Sequence, residues 1–286
     1  MNPRILLAFS LLGWIPNPGR AADPVVQKDV VYASPGGTDL KLDFARPDGD
    51  GPFPLVVLVH GGGWRQGSRT EFAEGQKAFA GFGFATAAVQ YRFAPKHRFP
   101  AQLDDVTAAV AFLAENKKAY RIDPDRVGLM GGSAGGHLAL MTGFTPAKAY
   151  TVRAVVNVCG PTDLRNFQST EKGDAVLKGG TKRDSAGLLE DLLGTADRTA
   201  DVYAQASPIA RVTKAVPPVL TLHGTADDLV PISQGDDLHA ALKKAGATER
   251  MIRVEGGGHD FAGWPKKDRD ASLTAAIAFL AEHLKQ

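Results

Sequence analysis

Continuous apolar runs recur along the chain at residues 55–59, 84–89, 127–130, 153–158, 219–222 and 250–254. Each has the length and composition of a strand buried on both faces. Between them, residues 71–80, 101–117, 135–145, 233–245 and 270–284 mix polar and apolar positions at helical spacing. Strand and helix therefore alternate, which predicts an α/β fold: a mostly parallel central sheet with helices on both faces. Ahead of this series, residues 29–33 and 39–45 alternate apolar with polar around Pro35-Gly36-Gly37, the pattern of an antiparallel hairpin with one solvated face.

Two segments break the alternation. Residues 161–208 are rich in glycine, lysine and aspartate and hold no strand-like run. A connection of that length inside a compact domain tends to carry function, so it reads as an insertion with one or two short helices near 186–193. It serves either as a partial lid or as a merely solvated excursion. At the other exception, Arg4 precedes an apolar run over 5–15, Pro16 and Pro18 break it, and Ala21-Ala22 follow. That order predicts a secretory signal over 1–22, a catalytic domain over 23–286 and a secreted or periplasmic product. The run is too short for a bilayer, which needs about 20 residues, so no stable membrane insertion is expected.

Composition narrows the classes. A 286-residue chain that is 44% hydrophobic can bury one substantial core. Its net charge of +2 comes from 33 basic and 31 acidic residues interspersed along the chain. No basic face emerges to neutralise phosphates, so nucleic acid is not an expected partner. Cys159 is the only cysteine; it permits no intramolecular disulfide and reads as a half-buried thiol at a strand end.

The sharpest chemical signal is Gly131-Gly132-Ser133-Ala134-Gly135, a G-x-S-x-G set between a predicted strand and a predicted helix. Small residues let the backbone turn sharply and hold Ser133 outward, at a helix N-terminus that favours negative charge. An isolated pentapeptide of this kind is often only a glycine-rich turn; the flanking elements make this one a candidate nucleophile. Serine needs a base and donors for the oxyanion it creates. His60-Gly61-Gly62-Gly63-Trp64 follows the strand at 55–59, and the amides of Gly62 and Gly63, with that of Ala134, are the candidate oxyanion donors. A phosphate loop is the rival reading, but the lysine it requires is missing.

Of seven histidines, only His259 lies in the loop between the last predicted strand and the final predicted helix, where a Ser, acid, His order places the base. His60 and His223 begin glycine turns and read as loop braces, while His97, His137, His239 and His283 read as ordinary helix or loop positions. The acid belongs after the strand at 219–222, where Asp227 is the candidate. Asp228 reads as solvent-facing or as a helix cap near Pro231. No cofactor is implied, and histidine and carboxylate spacing suggests no metal.

Together with Gln90-Tyr91-Arg92-Phe93-Ala94-Pro95, Phe99-Pro100-Ala101-Gln102-Leu103-Asp104-Asp105 and Gly258-His259-Asp260-Phe261, these motifs resemble those of α/β-hydrolase serine esterases. The nearest groups are the bacterial feruloyl and acetyl-xylan esterase-like proteins and the hormone-sensitive-lipase-like carboxylesterases. The latter usually carry a helical cap before the HGGG strand, whereas residues 23–59 read as strands, so the former group fits better. The resemblance implies Ser133, Asp227 and His259 as a triad, structural roles for Tyr91, Arg92 and Asp105, and a small-molecule or polysaccharide-linked ester with a short acyl or aromatic group as substrate. An amidase or exopeptidase with the same triad, and a non-catalytic binding protein of this fold, remain alternatives at the level of sequence.

Overall fold

The computed structural model describes residues 23–285; the expected signal at 1–22 lies outside them. Eight strands form one sheet in the order β1-β2-β4-β3-β5-β6-β7-β8. They are β1 (Val25–Ala33), β2 (Leu40–Arg46), β3 (Phe53–Val59), β4 (Ala85–Val89), β5 (Ile122–Gly132), β6 (Val152–Val158), β7 (Val219–Gly224) and β8 (Glu249–Val254). β1 pairs antiparallel with β2, and β2 with β4; every other pairing is parallel. The hairpin is thus part of the main sheet.

The helices are α1 (Ala73–Gly81), α2 (Ala101–Glu115), α3 (Lys117–Tyr120), α4 (Ala134–Gly143), α5 (Glu171–Thr181), α6 (Ser185–Leu193), α7 (Asp201–Gln205), α8 (Ser233–Ala245) and α9 (Lys266–Leu284). Strand side chains alternate between faces, and the central strands show why their runs are unbroken. Leu55, Val57 and Val59 of β3 enter one core with α2, α4 and α8, while Val56 and Leu58 enter a second core with α1 and α9. Both faces are covered, so both parities are apolar. At the edge, β1 keeps several residues exposed, as the alternating pattern predicts.

Boundaries shift where side-chain pattern is silent. β5 begins at Ile122, because Ile122 and Asp123 pair with Phe53 and Pro54 across a register break. α9 begins at Lys266, its polar first turn having no buried face to reveal it. The 161–208 segment holds three helices: α6 lies at the expected place, and α5 and α7 are additional. Three glycines in α5 argue against a helix, but Thr170 caps it by accepting from the Gly173 amide at 3.1 Å, and Leu177 buries against the body.

Candidate active site

The catalytic candidates sit on loops that leave the carboxyl ends of parallel strands. β3 lies between β4 and β5, so the chain switches direction there, and such a crevice is where ligands bind in open α/β sheets. The His60-Trp64 loop leaves β3 and Ser133 follows β5, flanking that switch point.

Ser133 has φ 54° and ψ −124°, a left-handed conformation that a non-glycine residue adopts only under constraint. Its amide donates to Val158 O at 2.8 Å, and its carbonyl accepts from the His137 amide at 3.0 Å. Close approach sets the surrounding glycines. A Cβ on Gly131 would stand 2.3 Å from Gly135 O, and one on Gly135 would stand 2.1 Å from Val59 O. The turn therefore packs β5, α4 and the end of β3 backbone against backbone.

Three side chains from distant parts of the chain meet here. Ser133 Oγ lies 2.9 Å from His259 Nε2, and His259 Nδ1 lies 2.8 Å from Asp227 Oδ2. The other Asp227 oxygen accepts from the amides of Leu229 and Val230, both at 2.9 Å. Burial alone would raise the Asp227 pKa, but the attraction of His259 and hydrogen bonds from His223 and His259 outweigh it and hold the carboxyl well below its usual range. The acid and histidine loops are also joined to each other: Ala226 N donates to Gly257 O and Thr225 N to Val254 O, each at 2.9 Å. Trp264 Nε1 donates to Gly258 O at 2.7 Å.

Ser133, Ala134, Gly63 and His259 share one pocket with Trp64. Among the described residues, the amides of Gly62, Gly63 and Ala134 donate to no other group. Gly63 and Ala134 line the pocket, whereas Gly62 is buried and does not. Gly62 has φ 105°, and a Cβ there would lie 2.2 Å from Gln66 O, so glycine is needed for the loop to turn.

The other histidines act as braces. His60 Nδ1 meets Gly61 O at 2.8 Å, and its ring stacks on Tyr91, whose hydroxyl donates to His60 O at 3.0 Å. His137 Nε2 donates to Ala206 O at 2.7 Å while its Nδ1 accepts from Trp64 Nε1 at 3.2 Å. His223 Nε2 contacts Val230 O at 2.8 Å and Asp227 Oδ2 at 3.4 Å. Arg92 grips Asp105 with two nitrogens, a structural role of the kind the resemblance implies for both. His239, by contrast, pairs with Glu249 at 2.5 Å.

Two expectations change. Cys159 is fully buried, because its strand end packs into the second core. Of the two readings of Asp228, the helix cap at Pro231 fails: its partly exposed side chain pairs with Lys172 at 2.7 Å and accepts from Thr170 Oγ1 at 2.9 Å, tying the start of α5 to the acid loop. Cys159, His223 and Asp227 bring one donor atom each within 4.8 Å of one another, a grouping invisible in sequence spacing. Asp227 is committed to His259 and two amides, and burial pushes the Cys159 thiol well up, so it stays protonated rather than offering a thiolate. These donors serve the triad's support more readily than a metal ion.

What sequence reasoning missed is the opposite wall of the pocket: Phe167, Leu177, Thr181 and Leu188 from the 161–208 segment, with Leu229 and Val230. Its signal was the short apolar pairs Val176-Leu177 and Leu188-Leu189 within a polar stretch.

The BD-FAE family matches residues 42–242, a span that holds Ser133 and Asp227 and ends before His259. Esterase LipC of Mycobacterium tuberculosis is 31% identical over 227 residues, 73% of this chain and 53% of that protein. The chain spans about half the length of the mycobacterial relatives it matches. A thermophilic esterase from Thermogutta terrifontis superposes with a TM-score of 0.72 at 26% identity, covering 93% of this chain and 94% of its own. A truncated carbohydrate esterase from gut microbiota gives a TM-score of 0.76 at 23% identity over 94% and 100%, a likeness of fold.

Proposed function

The chain belongs to the BD-FAE family, and from that premise we infer that it is a serine hydrolase cleaving carboxylic esters through an acyl-enzyme. One observation carries the reading: the continuous chain of contacts from Ser133 Oγ to His259 to Asp227, with unengaged amides facing the same pocket. His259 Nε2 takes the Ser133 proton as Oγ attacks the ester carbonyl. The amides of Gly63 and Ala134, with Gly62 behind them, hold the oxyanion, each such donor being worth about 3 kcal/mol in the transition state. As the tetrahedral centre collapses, the ester C–O bond breaks and His259 returns the proton to the leaving alcohol. Water then repeats the cycle on the acyl-enzyme. Asp227 keeps the imidazole in the right tautomer and stabilises its cation without taking the proton.

The substrate class rests on resemblance and on the expected export signal, which together favour short acyl or aromatic esters of polysaccharides met outside the cytoplasm. Among the described residues no helix is long and apolar enough to cross a membrane. An amide substrate would use the same groups, so the deciding experiment compares p-nitrophenyl acetate, methyl ferulate and aminoacyl-anilides. Turnover of p-nitrophenyl acetate is expected, falling roughly 10⁴-fold or more in a folded Ser133→Ala variant. Turnover of the anilides alone, or equal activity in that variant, overturns the reading.

A further inference from the structure

The pocket at Ser133 is closed on its far side by apolar side chains of α5 and α6. Leu177, Leu188 and Leu229 pack as a separate cluster, 6%, 3% and 8% exposed. The free space they leave beside Ser133 is about 30 Å³. A single water-sized group needs roughly 10–15 Å³ of such space, so the room left on this side is that of a small group.

This wall is braced rather than loosely draped. Leu188 Cδ1 lies 3.3 Å from where Gly63 would carry a Cβ, so α6 rests on the oxyanion loop itself. Asp191 of α6 pairs with Arg65 of that same loop and with Arg183 at 2.8 Å. At the start of α5, Ser169 Oγ donates to Leu229 O at 2.6 Å and Thr170 N to Asp228 O at 3.0 Å. The wall is therefore tied to the oxyanion loop and to the acid loop at several points.

We propose that Leu177 and Leu188 set the acyl limit of this site, so that the acyl half of the substrate is acetyl or a group of similar size, and an aromatic acyl group is excluded. The proposal rests on the serine-esterase reading above. The enclosed apolar space receives the acyl half because that half stays bonded to Ser133 while the alcohol departs. The alcohol takes its proton from His259, whose loop exposes Glu255, Gly256 and Asp260 to solvent. A bulky hydroxylated alcohol fits that open side and not the leucine cluster.

The test is kcat/KM for p-nitrophenyl acetate, butyrate and hexanoate and for methyl ferulate. The native chain should lose at least about 10-fold from acetate to hexanoate, since a poorly accommodated methylene costs on that scale, and should leave methyl ferulate intact. Leu177→Ala and Leu188→Ala should each raise the hexanoate-to-acetate ratio about 10-fold. Because the ratio is taken within one preparation, loss of folded protein does not imitate the result. Should the alanine variants fail to fold, Leu188→Val reads the same shift in the butyrate-to-acetate ratio. Native turnover of hexanoate or methyl ferulate to match acetate, or unchanged ratios in the variants, overturns the proposal while leaving the esterase reading intact. Turnover of no ester removes both.

Discussion

His60 and His137 are buried at the base of the site and both have pKa values lowered to about 4, burial being the main cause in each. Unfolded, each would titrate near 6.5. Between those values the unfolded chain binds more protons, so the stability of the neutral buried form is complete above about pH 6.5 and is lost as pH falls toward 4. Each costs on the order of 3 kcal/mol of stability at the acid end. Thermal unfolding should show Tm dropping from pH 7 to 4.5, with a shallower fall in His137→Gln; a flat profile in the native chain would contradict the neutral, buried assignment. Residue identities at the triad were legible because chain order and strand ends constrain them. The partners of Asp227 were not: Leu229 and Val230 amides and His223 reach it through a turn whose geometry no side-chain pattern encodes.

At the scale of elements, the 161–208 segment is joined to the catalytic loops at both of its longer helices. Asp191 is buried, with Arg65 and Arg183 on either side. Asp191→Ala leaves two guanidinium groups without their carboxylate, but both are partly exposed, so the expected loss is roughly 1–3 kcal/mol. Urea unfolding measures it; a change within about 0.5 kcal/mol would show that α6 is held by its leucines alone. The central strands and α8 were legible from periodicity because each has a fully buried face. α5 was not, since its helix is stabilised by a threonine cap and long-range packing that override its glycines.

For the molecule as a whole, the alternation of strand and helix implied a parallel sheet, but not that β2 would join it antiparallel beside β4, because strand order depends on which elements pack together. That order brings the ends of β3, β5, β7 and β8 to one rim, where residues 126 positions apart in the chain stand 2.9 Å apart. The central claim is that this rim makes Ser133 a nucleophile. It is tested most directly by treating the native chain with an organophosphate ester such as paraoxon and mapping the adduct by peptide mass spectrometry. A single phosphorylated residue, Ser133, is expected, with ester turnover lost in proportion to labelling. Labelling at another residue, or full turnover by chains labelled at Ser133, would contradict it.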